Sequence, residues 1–333
     1  MANERYLGIA DETVFGTAVT PPTTFLDIKS NSMHPEREFI SAPSMIYSGP
    51  IYMAPGQYKC VGDIALWASA DNLMKLLRHM FTTSIDAADG SAWTHVYVPS
   101  DTLKFGTYYK VPSICAVTTS AHQFTSCIPT SMRIEARTGD PVSATFGMLA
   151  QKDAKVAVTA LGAVSTVRPF FAIDGLLYWD IAKAVPLANV DSISLTYTRK
   201  IPDDAYAMTD YLLKCFVPGE GTLEGEMDIM FSDWDAQGYF WSGVSSAAVP
   251  IQSPVAMALD LILSGDSSGG TSYTKYTCRI QCPKIVLTAV DAPVELRDKI
   301  MQTVSFKGYR GTGNLTTGMH LLEVLLGNTT AVG

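Results

Sequence analysis

Apolar and polar residues take strict turns along "VPGEGTLEGEMDIMFS" (217 to 232): Leu223, Met227, Ile229 and Phe231 fall at odd numbers, Glu224, Glu226 and Asp228 at even ones. Successive side chains of a strand point to opposite faces, so a period of two predicts a β-strand with one face in a core and the other facing water or something charged. "APGQYKCVGDIALWAS" (54 to 69) repeats the pattern at a constant offset of 218 − 55 = 163, with Pro55, Gly56, Gly62, Asp63 and Ser69 meeting Pro218, Gly219, Gly225, Glu226 and Ser232. Core parity survives the shift, since Cys60, Ile64, Leu66 and Ala68 fall on Leu223, Met227, Ile229 and Phe231. A slip of one residue would have exchanged the faces.

After each strand the period changes. Leu73, Leu76, Leu77 and Met80 make one face of a helix in "ADNLMKLLRHMF" (70 to 81), and Ala236, Tyr239, Phe240 and Gly243 occupy the same offset in "WDAQGYFWSG" (234 to 243). Gly238 makes the second helix the weaker one, and Ser232 or Asp233 is its expected N-cap. Alternating runs precede both turns, at 25 to 40 and 192 to 206, and follow both helices, at 126 to 149 and 278 to 310. The chain therefore reads as mainly β: two tandem sandwich or barrel domains, each with one short packed helix. The expected units are an N-terminal arm 1–24, a first domain 25–152 containing an extended loop 84–110, a second domain 153–311 and a C-terminal tail 312–333. Trp93, Tyr97, Phe105, Tyr108 and Tyr109 make the loop aromatic, a composition suited to contact between subunits or rings.

With 333 residues, 47% hydrophobic and 17% charged, the chain has material for two packed domains. Its net charge of −8 argues against a protein that grips nucleic acid, which needs Lys and Arg to neutralise phosphates. The first residues mix Glu4, Arg5, Asp11 and Glu12 without an apolar run, so no signal or transit peptide is read there, and no segment has the length of a membrane span. Cys60, Cys115, Cys127, Cys215, Cys278 and Cys282 suit reduced, mostly buried thiols better than a disulfide framework.

Catalytic chemistry needs convergent groups, and none converge in the sequence. The five histidines are isolated, and His79 falls on the polar side of the first helix as a surface residue. "SDWDAQG" lacks the ligands of a calcium loop, "CRIQC" lacks a second pair for zinc, and "GYRGTGNLTTG" lacks the Gly-Lys-Ser/Thr ending of a phosphate loop. No catalytic, cofactor or metal site is assigned, and the chain is read as a non-enzyme.

The ordered series "YLGIADETVFGTAVTPPTTFLDIKSNSM", the Pro-Gly turn with its Gly-acidic strand, "IPTSMRIEARTGDPVSATFGM", "LANVDSISLTYTRKIPDDAY" and "IVLTAVDAPVELRDKIMQTVSFKGY" resembles the tail tube proteins of long-tailed bacteriophages, in the subgroup with tandem tube domains. The resemblance implies stacked rings whose inner wall is a β-barrel, a conduit for DNA ejection. Two domains per chain imply trimeric, pseudo-hexameric rings. It implies a virion location in the tail, assembly in the host cytoplasm, self and neighbouring tail proteins as partners, transient passage of double-stranded DNA, and neither cofactor nor membrane. Asp63, Glu224, Glu226 and Asp228 are then candidates for the lumen wall, with a plain solvated outer face as the other reading. The alternative function is a β-rich carbohydrate- or receptor-binding module of the virion, served by the aromatic loop.

Overall fold

The computed structural model describes residues 6–42, 52–111, 120–157, 162–179, 186–187, 189–202, 205–207, 210–230, 235–242, 245, 247, 249–250, 256–291, 301–316 and 318–329. Segments of period two form strands. The first half runs β1 (Tyr6–Asp11), β2 (Thr24–Leu26), β3 (Ser30–Asn31), β4 (His34–Ala42), β5 (Tyr52–Trp67), α1 (Ala70–Met80), β6 (Thr82–Asp89), β7 (Ala92–Val98), β8 (Gly106–Val111), β9 (Ser120–Arg137), β10 (Ser143–Ala150) and β11 (Lys152–Ala157). The second runs β12 (Gly175–Tyr178), β13 (Val190–Arg199), β14 (Gly221–Met230), α2 (Asp235–Ser242), β15 (Met257–Ser267), β16 (Lys275–Asp291) and β17 (Met301–Tyr309). β18 (Gly311–Thr312), β19 (Met319–His320) and β20 (Glu323–Asn328) follow. The chain is mainly β, and the named strands pair antiparallel throughout.

One continuous sheet crosses both halves in the order β4-β5-β10-β9-β13-β14-β17-β16. Each half contributes four strands in the same order: first hairpin strand, second hairpin strand, last strand, long strand. The long strands β9 and β16 each turn a corner and enter a second sheet, β2-β1-β8-β9-β11 in the first half and β12-β15-β16-β20-β7-β6 in the second. Two devices make the corners. In β9, Ser126 takes a positive φ of 54°, and its N–H and hydroxyl both donate to the buried carboxylate of Glu12, each at 2.8 Å. In β16 the corner falls at Pro283, which has no N–H to give to a ladder. Apolar parity turns inward between the layers, and one hydrophobic cluster runs through both halves, from Leu7 and Phe146 to Phe306 and Leu326.

α1 opens on Ser69, whose hydroxyl accepts the N–H of Asn72 at 3.3 Å. Asp71 in its first turn and Arg78 in its last complement the helix dipole. Leu73, Leu76, Leu77 and Met80 are fully buried. His79 is a correction: it is buried, not a surface residue. One ring nitrogen shares a hydrogen bond with the Tyr108 hydroxyl at 2.7 Å, the other meets Asp11 at 3.0 Å, and these partners make its burial tolerable. The hydrogen bond from His79 holds the Asp11 carboxyl well below the usual carboxylate range, against the opposing effect of partial burial. α2 is shorter, and its Tyr239, Phe240 and Trp241 are half-buried. The expected caps Ser232 and Asp233, with Phe231, lie outside the described residues, as does Cys115.

Segments expected outside the repeat are woven into the sheets. β1, from the arm, pairs with β8, and β20, from the tail, pairs with β16 on one side and β7 on the other. The extended loop of the first half thus completes a sheet of the second. At the tip of that hairpin Asp89 accepts hydrogen bonds from the backbone N–H groups of Thr271 (3.1 Å), Ser272 (2.8 Å) and Tyr273 (2.9 Å) and from the Thr271 hydroxyl. The Ser272 and Tyr273 N–H groups hold its carboxyl well below the usual range.

Candidate functional site: the polar face of the joint sheet

Cross-strand register decides which side chains share a face. Opposite Glu226 stand Ser194 on β13 and Ser305 on β17; beyond Ser194 stand Glu135, Ser143 and Trp67 in succession. A second row runs Ala65, Thr145, Arg133, Thr196, Glu224, Lys307 and Val286. A third joins Asp63 to Gly147, Ser131, Thr198 and Thr222, and a fourth joins Arg137, Ser192, Asp228, Thr303 and Asp291. Asp63, Glu224, Glu226 and Asp228 therefore lie on one face of one sheet, the face turned away from the core. Both halves contribute to it.

Carboxylates on that face are not alone. Lys307 Nζ meets Glu224 Oε1 at 2.9 Å, a hydrogen bond that raises the Lys307 pKa. Arg133 meets Glu135 at 2.6 Å and donates to the Ser194 hydroxyl at 3.2 Å. Asp228, half-buried, accepts hydroxyls from Ser192 at 2.7 Å and Thr303 at 2.8 Å. Asp63 and Glu226 are exposed, and no ion pair among the described residues neutralises them. The face is thus rich in serine and threonine hydroxyls, with charges of both signs and an acidic remainder. Its carboxylates Asp63, Glu224, Glu226 and Asp228 are expected from the sequence, whereas Arg133, Glu135 and Lys307 are additions from the structure. The same parity rule applied to "SMRIEAR" and "VSFKGY" would have put these three on the face.

The loop aromatics divide. Tyr97, Tyr108 and Tyr109 are buried inside the chain, and Gln123 donates to the Tyr109 hydroxyl at 2.7 Å. Trp93 and Phe105 are partly exposed. Phe105 meets Phe15 edge-on at 5.5 Å between centroids, and Phe15 meets Phe216 at 5.2 Å, so the pair ties the arm to the long 200 to 220 connection. Among the described residues no group of three potential metal ligands gathers, and no helix is long and apolar enough to cross a membrane. Burial pushes the Cys278 thiol up to about 12 and raises that of Cys282 on the same side of β16.

The two halves contribute four strands each, in the same order, to one sheet, and they join edge to edge across a shared polar face. The family model described as phage tail tube protein matches residues 2–308, and the chain belongs to that family. It is a structural protein of the phage tail. No curated protein matches the chain.

Proposed function

We propose that three copies of this chain close a pseudo-sixfold ring and that such rings stack into the tube through which DNA leaves the virion. The junction inside the chain carries the reading. There β9, the long strand of the first half, pairs along its edge with β13, the first hairpin strand of the second. The joint sheet ends in the counterparts of these same strands, β4 and the Lys284–Asp291 stretch of β16. Pairing β16 of one copy with β4 of the next repeats the inner junction, and three two-unit chains then present six units around a closed axis.

Exposure supports those edges as interfaces. His34 to Ser41 are all exposed, Phe39 and Ile40 at 62% and 64%. A long, partly apolar open edge is a site for strand pairing and a hazard for a protein meant to stay alone. The polar face becomes the wall facing DNA, and its hydroxyls and acidic remainder leave a duplex free to slide where a basic wall would hold it by counterion release. Trp93 and Phe105 become contacts between neighbouring copies. Assembly in the host cytoplasm with the other tail proteins completes the proposal.

Electron microscopy of the purified protein tests it: rings of three chains or hollow tubes are the expected outcome, and a monomer at every concentration counts against it. A second measurement addresses the wall. Asp63→Lys with Glu226→Lys is expected to permit tubes but slow DNA ejection; an unchanged rate, or these residues on the outer surface of an assembled tube, removes the lumen assignment.

A further inference from the structure

A cleft of about 670 Å³ opens at the end of the joint sheet where β13 stops, β14 starts and β17 stops. Arg199, the last residue of β13, lines it at 3% exposure, and neither Nη has a hydrogen-bond partner among the described residues. A buried guanidinium with both Nη nitrogens idle is costly to leave so, and a carboxylate matches its fork. Arg310, exposed, and His320, half-exposed, line the same cleft. Lys307 does too, but Glu224 already occupies it. Asp101 and Glu220 sit on the rim without hydrogen-bonding either Nη, and the Tyr197 hydroxyl, in hydrogen-bonding contact with the Arg199 side chain, leaves both Nη idle. The space far exceeds the roughly 30 Å³ of one water, so it has room for a protruding turn.

A turn of the right chemistry stands at the opposite end of the same sheet. Thr138–Asp140 joins β9 to β10, all three residues are exposed, and a Cβ at Gly139 (φ 91°) would meet nothing within 4 Å. Register fixes the two ends: Arg137 faces Ser192 at the start of β13, and Ser131 faces Thr198 next to Arg199. Seven residues at about 3.3 Å each put the ends about 23 Å apart along the strand, too far for the turn to reach the cleft of its own chain. A head-to-tail stack brings these two ends together, because an open assembly repeats one heterologous contact.

We propose that the Arg199 cleft is a socket between copies of this chain: in stacked rings it takes the carboxylate of Asp140 from the turn of a copy in the next ring. The proposal rests on the tube reading and assigns its axial contact. Asp140→Asn and Arg199→Met are compared with wild type for ring formation by analytical ultracentrifugation and for tube length by electron microscopy. Rings of normal size are expected from both variants. The critical concentration for stacking is expected to rise about 30-fold or more, as for a broken buried charge pair, while Asp140→Glu stacks nearly as wild type. Asp140→Asn lies on an exposed turn and carries the test even where Arg199→Met fails to fold. Rings whose stacking is indifferent to Asp140→Asn overturn the socket alone. If, in addition, inorganic phosphate raises the thermal midpoint of wild type but not of Arg199→Met, the occupant is a free anion. Wild-type protein that forms no rings overturns the tube reading, and the socket with it.

Discussion

α1 and α2 occupy the same place in the repeat and have different surroundings. α1 touches β9 of its own half and β16 and β20 of the other, and its apolar face is sealed. α2 packs on β16, and its three aromatic residues stay half-exposed. The strands beside them differ in the same way, since β9 is paired along both edges of the joint sheet, whereas among the described residues β16 beyond Pro283 has β17 along one edge and meets β15 only at Ile285. One unit has its neighbour and the other lacks it. In the proposed ring the second half therefore reaches the state of the first only when the next copy arrives.

The largest effect is expected from breaking the open edge. Leu287 pairs with Phe306 and Ala289 with Ser305, so Thr288 is the extra residue of a bulge and has no partner in β17. Thr288→Pro spares the chain's own ladder and falls on the outward pairing, where a missing N–H and the ring both obstruct a docking strand. Sedimentation of the variant is expected to show folded monomers at concentrations where wild type forms rings. Thr196→Pro at the closed junction is expected instead to disrupt the monomer. Equal ring formation by wild type and Thr288→Pro would remove β16 from the interface.

The helices sharpen the comparison at smaller scale. Leu77→Ala in α1 leaves a cavity in a sealed core and is expected to cost about 2–5 kcal/mol in denaturant unfolding of the isolated chain. Phe240→Ala in α2 removes a side chain that is only half-buried. Its cost in the monomer is expected to stay under about 1.5 kcal/mol, with a larger loss when rings are unfolded. An equal cost in both states would mean that α2 has no neighbour.

Period made the strands and the first helix legible, because a half-buried strand must alternate and a register slip is heavily penalised. The carboxylates of the polar face follow the same alternation. What escaped was pairing between distant segments. Nothing in the alternation of "WTHVYV" says that β7 adds to a sheet of the other half through β20, and nothing in "DLILS" announces that Asp260 is fully buried against Arg279 at 2.9 Å. His79 was misplaced because helical periodicity measures direction around the helix and is blind to a polar partner such as Tyr108 waiting there. The repeat's shared glycine shows the limit as well. A Cβ at Gly62 would lie 2.6 Å from the Met33 backbone, and one at Gly225 would lie 2.2 Å from the Phe306 ring, so one sequence feature answers two different close approaches.

The smallest expected effect concerns the tie between the halves. Asp89 has a folded-state pKa below its ordinary 3.8 because the N–H groups of Ser272 and Tyr273 favour the carboxylate. A depressed carboxylate pKa stabilises the fold above the unfolded-state value, and that contribution fades as pH falls through the lowered folded value. Asp89→Asn removes the charge without removing the side chain. At neutral pH the variant is expected to be slightly less stable than wild type, with faster amide exchange along β20 from Val324 to Gly327, where the hairpin docks. The gap is expected to persist down to about pH 4, to shrink steadily below it, and to close only where the folded-state carboxyl takes up its proton, well below the usual carboxylate range. A gap that stays constant over that range would mean that charge plays no part in the latch. Asp11→Asn offers the matching measurement inside the first half, where the depressed carboxyl is held by His79 rather than by a loop of the other half. Its gap should close with acid in the same direction while exchange along β20 stays unchanged, separating a tie within one half from the tie that joins the two.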